Sequence, residues 1–159
     1  MDIVVIYDTK FGNTAQVARA IARGAAAAGS VRVLDTTEAA GSLPQQPGLL
    51  ILGGPTQRRG PSAALRSFVD DLPAVLRRLP AATFDTRYRG ATLLMGSAAS
   101  DAARRIAKAG SRLATPPESF FVTRGGPLEA QGLEPGELER AEAWGRRVAA
   151  SATAGQRQR

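Results

Sequence analysis

Three hydrogen-bonding side chains, Thr9, Asn13 and Thr14, surround Gly12 in the stretch Asp8-Thr9-Lys10-Phe11-Gly12-Asn13-Thr14. An apolar run, Ile3–Tyr7, precedes this stretch and a helical pattern follows it. Free N–H groups at a helix start point outward, and the helix dipole favours an anion there. Gly12 lets the backbone approach closely, and Thr9, Asn13 and Thr14 add side-chain donors. The chemistry on offer is the holding of a phosphate. The same residues also suit an ordinary capped turn, with Asn13 or Thr14 as the cap. Local chemistry leaves both readings open.

Other chemistries are excluded by composition. The chain has no cysteine and no histidine. Disulfides, thiolate nucleophiles, Cys/His metal sites and Ser-His-Asp or Cys-His constellations are therefore ruled out. Redox chemistry would have to come from a bound organic cofactor. The formal net charge is +7, and only Lys10 and Lys108 among the cations are lysines. An Arg-rich surface fits an acidic partner or nucleic acid. It equally fits a compositional bias toward Arg, Ala and Gly that leaves a solvated basic face. A nucleic-acid platform needs aromatics among its arginines, and here they sit mostly in apolar segments.

Stepping outward along the chain, strands and helices alternate. Ile3–Tyr7 reads as a central parallel strand. Val17, Ile21, Ala25 and Ala28 follow at helical spacing up to Gly29. Val31–Leu34 is a short strand whose Arg32 suits a sheet edge. Thr36–Pro47 is loop-like. Leu49–Leu52 is a buried strand closed by Gly53-Gly54-Pro55. Ser62 is the expected N-cap of a helix carrying Leu65, Phe68, Val69 and Leu72, with an extra turn at Leu76 and Leu79. A fourth strand is expected over Ala91–Met95, a helix over Asp101–Leu113, a fifth strand over Ser119–Thr123, and a closing helix over Glu134–Ala150 with Leu138, Ala141, Trp144 and Val148 on one side. Phe84-Asp85-Thr86-Arg87 reads as a turn or local ion pair without chemistry, and Trp144 as core or interface rather than a flavin partner. The 159 residues suit one domain over 1–150 and a disordered polar tail over 151–159. No apolar run approaches the roughly 20 residues of a membrane span. The opening reads as a buried strand and not a secretion signal, so a cytoplasmic location is expected. Alternating strands and helices give an α/β fold with a parallel sheet, whose ligands bind at the carboxyl ends of the strands.

The motif Tyr7-Asp8-Thr9-Lys10-Phe11-Gly12-Asn13-Thr14 resembles the FMN-phosphate loop of the flavodoxin family. Gly53-Gly54-Pro55-Thr56 with Pro61-Ser62 is similar to that family's second flavin loop. Pro127-Leu128 and Gly136–Ala141 are similar to the stretch entering its last helix. The resemblance implies a three-layer sandwich: a five-stranded parallel sheet in the order 2-1-3-4-5, with helices on both faces. It implies FMN, electron transfer and a redox partner protein. Thr9, Lys10, Phe11, Gly12, Asn13 and Thr14 would hold the phosphate. Pro55, Thr56, Gln57 and Arg58 would line one face of the flavin, and Gly96, Ser97, Ala98 and Ala99 the other. No catalytic residue and no metal site is implied.

Departures from the family have physical consequences. Neither flavin-facing loop contains Trp, Tyr or Phe. Stacking on an aromatic contributes about 1–3 kcal/mol in nucleic-acid sites. Its loss weakens FMN by about one to two decades or more, so weak or absent FMN is part of the expectation. A guanidinium at Arg58 or Arg59 stacks on planar rings and offsets part of that loss. Positive charge near the ring favours its anionic reduced form, hence a higher potential for the last electron than in acidic flavodoxins. An Arg-rich rim selects a partner with an acidic face. Two other functions stay in view: an interaction module that has lost tight FMN binding, and a small FMN-dependent quinone reductase. Phosphoacceptor receiver domains share the strand order but need paired acids after strand one, an Asp ending strand three and a Lys ending strand five. Asp8 stands alone, Gly53-Gly54 ends the third strand and Arg124 follows the fifth.

Overall fold

The computed structural model describes residues 1–90, 94, 96–125 and 132–157. β1 (Ile3–Tyr7) is the central strand that its apolar run implies, with Ile3 to Ile6 buried. It pairs in parallel with β2 (Val31–Asp35) on one side and β3 (Leu49–Gln57) on the other. β5 (Pro80–Tyr88) joins β3 in parallel, and β7 (Glu118–Val122) joins β5. The long strands thus run β2-β1-β3-β5-β7, which is the expected 2-1-3-4-5 order. Two-residue strands are added at its margins. β4 (Gly60–Pro61) folds back antiparallel on β3, and β6 (Arg112–Leu113) pairs with the start of β5. Exposed Arg32 lies on the β2 edge, as its charge requires.

Side-chain alternation along the strands divides the core. Ile3, Val5, Leu49 and Ile51 pack under α1 (Asn13–Ala25) and α5 (Glu137–Arg157). Val4, Ile6, Leu50 and Leu52 pack under α3 (Ala63–Asp70) and α4 (Ala98–Lys108). Each such side chain contributes about 1.5–3 kcal/mol by burial. α1 and α5 meet backbone to backbone, since a Cβ on Gly24 would strike the Glu142 carbonyl and one on Gly145 the Ile21 carbonyl. Trp144 is core: its ring meets Phe84 and Phe120 edge-on, at centroid distances of 6.3 and 6.1 Å.

Several boundaries differ from the sequence expectation. The fourth long strand is Pro80–Tyr88, not Ala91–Met95. Of the latter, Leu94 is helical and exposed, while Ala91, Thr92, Leu93 and Met95 lie outside the described residues, as do Pro127 and Leu128. The expected turn at Phe84–Arg87 is therefore the second half of a buried strand. Its polar side chains are satisfied by residues distant in sequence, which local composition does not report. β3 continues through Gly53-Gly54 because a Cβ at the first would meet the Phe84 ring and at the second Leu65. The Thr36–Pro47 loop contains one short helix, α2 (Ala39–Ser42). α4 starts earlier than Asp101 and stops before Leu113, because left-handed Gly110 (φ 94°) turns the chain into β6. α5 runs on through Arg157 where a disordered tail was expected from Ser151. Ala152 is fully buried there, and the Ser151 hydroxyl donates to the Ala114 carbonyl at 2.8 Å. Gln158 and Arg159 lie outside the described residues.

Candidate functional site

The carboxyl ends of the strands open on a cavity of about 140 Å³. Lys10, Phe11, Asn13 and Thr14 line it from the first loop, and Pro55, Thr56 and Gln57 from β3. Thr86, Arg87 and Tyr88 line it from β5, with Val122 from β7. Parallel strands followed by helices put these loops on one edge of the sheet.

In the first loop, the Gly12 N–H donates to the Thr9 hydroxyl at 3.1 Å. Gly12 is the N-cap of α1, in the left-handed conformation at φ 86°. A cap with no side chain offers the first turn of α1 no acceptor of its own. Neither Asn13 nor Thr14 caps the helix, so the ordinary capped turn is not what the chain builds. Both are buried in the first turn, and Thr14 Oγ1 instead shares a 2.7 Å hydrogen bond with Thr86 Oγ1 of β5. That bond ties the loop to the sheet. Phe11 stands 64% exposed on the cavity rim, with Lys10 Nζ 5.2 Å from its ring centroid.

The second loop is a tight hairpin, Gln57-Arg58-Arg59-Gly60, between β3 and β4. Arg58 and Arg59 both have positive φ, 45° and 72°. Such primed turns match the strand twist, although left-handed geometry costs a non-glycine residue about 1–2 kcal/mol. The loop holds its two guanidiniums at the edge of the site, with Thr56, Arg87, Tyr88 and Leu94 as neighbours.

The third expected loop is placed differently. Gly96 (φ 71°) packs on the Arg59 backbone, where a Cβ would collide, and Ser97, Ala98 and Ala99 are buried at the start of α4. None of the four lines the cavity among the described residues. They support it from behind. Ser97 Oγ caps α4 by accepting from the Ser100 N–H at 3.1 Å. The Ala98 N–H donates to Thr56 Oγ1 at 2.9 Å. Asp85, with no exposed surface, accepts at Oδ2 from Ser97 Oγ (2.6 Å), Thr56 Oγ1 (3.0 Å) and the Ala99 N–H (3.1 Å). Its Oδ1 accepts no hydrogen bond and lies 3.9 Å from Arg87 Nε.

Tyr88, Arg87 and Thr86 are site residues that the motif reading missed. They follow from β5 ending at Tyr88, and the available signal was the apolar-to-polar run from Leu79 to Tyr88. Tyr88 brings an aromatic ring to the cavity, with the Arg124 guanidinium 5.0 Å from its centroid. Lys10, Arg58, Arg59 and Arg124 form no ion pair among the described residues, which leaves the rim positive. Just past the end of β5, Arg89 bonds Glu134 at 2.5 Å and lies 4.1 Å from the Phe121 ring centroid of β7. No group of acidic side chains among the described residues is placed to hold a metal.

Comparisons with known proteins agree with this architecture. The flavodoxin family model matches residues 5–144. Among solved structures, a flavodoxin from the domain Archaea superposes with a TM-score of 0.75 at 17% identity, covering 96% of this chain and 99% of that one. Oxidised flavodoxin 1 from Bacillus cereus gives 0.72 at 19% identity, covering 94% and 98%. The flavodiiron protein from Giardia intestinalis gives 0.73 at 16% identity, with 99% of this chain matching 37% of that longer one. A comparison with curated proteins finds no match.

Proposed function

This chain belongs to the flavodoxin family, and from that premise we propose that it is a cytosolic FMN-binding electron carrier. The observation that carries the reading is the glycine cap of α1: Gly12 offers the first turn no side-chain acceptor of its own, and Asn13 and Thr14 beside it line the cavity. Among the described residues the approach at Gly12 is open, since a Cβ there would have no heavy atom of theirs within 4 Å. Such a cradle fits a phosphate. Thr9, Lys10, Phe11, Gly12, Asn13 and Thr14 would hold that end of FMN. Pro55, Thr56, Gln57 and Arg58 would meet one side of its ring system. Tyr88 and Arg87, rather than Gly96–Ala99, would meet the other. Bound FMN supplies transfer of one or two electrons.

The chain's own residues position and bias that cofactor. The Thr14–Thr86 bond keeps the phosphate loop in register with β5, and the Thr56–Asp85–Ser97 bonds fix the second loop. Lys10, Arg58, Arg59 and Arg124 support docking of a partner with an acidic face, through salt-sensitive attraction. No helix among the described residues is long and apolar enough to cross a membrane. A visible spectrum of the purified protein, before and after adding FMN, tests the reading. We expect flavin bands from bound cofactor and quenched FMN fluorescence at micromolar concentrations. A colourless protein that leaves FMN fluorescence unchanged overturns the carrier and points to an interaction module. NADPH oxidation by a quinone without added reductase points to a quinone reductase.

A further inference from the structure

A second opening adjoins the phosphate cradle, between the start of α1 and the start of α5. It is an open groove of about 430 Å³, against about 140 Å³ for the cavity beside it. Phe11 and Asn13 line both, so the two spaces share a wall. That wall belongs to the loop at which the proposed function seats the FMN phosphate. A group joined to the outer side of that phosphate meets Phe11 first and the groove next.

The chemistry of the groove differs from that of the cradle. Leu133, Pro135 and Leu138 give it apolar surface, and Gln16 adds an amide. Gly132 and Gly136 leave part of its wall as bare backbone, since a Cβ on either would meet nothing within 4 Å among the described residues. Its charged lining among those residues is two carboxylates, Glu134 and Glu139, with no cation, in a chain of net charge +7. Arg89 engages Glu134, whereas Glu139 is exposed and forms no ion pair among the described residues. Such a lining repels an anion and accepts hydrogen bonds from hydroxyl and amino groups. The Phe11 ring, 64% exposed on the dividing wall, offers a stacking face to a planar base. Lys10 Nζ, 5.2 Å from that ring centroid, supplies a positive charge at the crossing.

We propose that this groove is a nucleoside subsite. It takes the adenosine that flavin adenine dinucleotide (FAD) carries beyond the first phosphate, with Phe11 against the base, Glu139 accepting from a ribose hydroxyl and Lys10 beside the second phosphate. The inference deepens the flavin reading and rests on it for the place of the first phosphate. The chain then takes the dinucleotide in preference to FMN. A cationic segment of a partner protein also suits the two carboxylates, but it would have to lie beside Lys10 and the positive rim.

Calorimetric titration of the full chain with FMN, FAD, ADP and a tri-arginine peptide tests this. ADP carries the adenosine and both phosphates without a flavin. We expect FAD to bind about tenfold more tightly than FMN, and ADP to bind and compete with it. Phe11→Ala should weaken FAD by about tenfold more than it weakens FMN. Glu139→Ala should weaken FAD and ADP about fivefold relative to FMN, and Glu139→Gln, which keeps a carbonyl acceptor, should restore most of that loss. Equal FAD affinity in the two Glu139 variants overturns the subsite. FMN binding as tightly as FAD, with no binding of ADP, also overturns it and leaves the FMN reading standing. Binding of tri-arginine in place of ADP overturns it too, and gives the groove to a basic partner segment. If no flavin binds while ADP binds and Phe11→Ala weakens it, the flavin reading fails and the subsite stands.

Discussion

Two helix starts in this molecule face the same cluster of loops and are finished in opposite ways. α4 is completed by the protein itself: Ser97 caps it, Thr56 takes the Ala98 N–H, and the Asp85 carboxylate takes the Ala99 N–H. α1 starts behind Gly12, which supplies no capping side chain. Both starts carry the same partial positive charge and the same unsatisfied N–H groups. One has an internal anion and is a structural joint. The other is where the proposed function seats an anion from outside. Chemical identity of the terminus does not separate them; what the chain places in front of it does.

The largest test of that contrast is Asp85→Ala. Truncation takes from two hydroxyls and one N–H the buried acceptor they share. Removing one partner from a buried charged network costs about 3–5 kcal/mol. Urea denaturation is expected to show a loss of that size. A loss below about 1 kcal/mol would mean that the α4 start is not the joint described here.

Gly12→Ala probes the other start and is expected to behave in the reverse manner. The new Cβ meets nothing within 4 Å, so its cost to the fold is backbone strain at φ 86°, about 1–2 kcal/mol. Its Cβ stands where a phosphate must approach the first-turn N–H groups. FMN and phosphate affinity, measured by fluorescence titration, should fall by about tenfold or more, equivalent to at least ~1.4 kcal/mol. A variant as unstable as Asp85→Ala with unaltered ligand affinity would break the comparison.

Legibility in sequence follows the same division. The α1 site is contiguous: strand, loop and helix start lie within Ile3–Thr14, so spacing reports it. The α4 joint is assembled from Thr56, Asp85 and Ser97, which only the β3–β5 pairing brings together. Locally, Asp85 looks like a turn residue between Phe84 and Thr86. That misreading moved the fourth strand to Ala91–Met95 and left Tyr88 out of the cavity. The sheet order came with the family resemblance, whereas the alternation of strands and helices and the inward side of Trp144 were legible because apolar periodicity carries them. The extension of α5 through Arg157 was not, because small, polar residues such as Ser151 find partners only across the fold.

A third helix start sharpens the rule and carries the smallest effect. α5 begins after left-handed Gly136, and Glu137 supplies its own carboxylate there. Oε2 accepts from the Phe121 N–H of β7 at 2.7 Å, and Arg140 Nε donates to Oε1 at 3.0 Å. This terminus again has an anion supplied from within, and that carboxylate occupies a backbone donor of β7 and the Arg140 guanidinium. Burial pushes the Glu137 pKa up, but hydrogen bonding from Arg140 and from the Phe121 N–H outweighs it, and the group titrates below its ordinary value. A carboxylate with a depressed folded pKa stabilises above its unfolded pKa and loses that contribution as pH falls through the folded value. Because Arg140 is about one-third exposed, solvent screening keeps the contribution to about 1 kcal/mol or less. Denaturation midpoints measured downward from about pH 6, through the ordinary glutamate pKa of ~4.3 and below, should show wild type losing an increment that Glu137→Gln does not lose. Parallel curves for the two proteins would mean that Glu137 fills the α5 start without holding it, and that closure from within is a property of α4 alone.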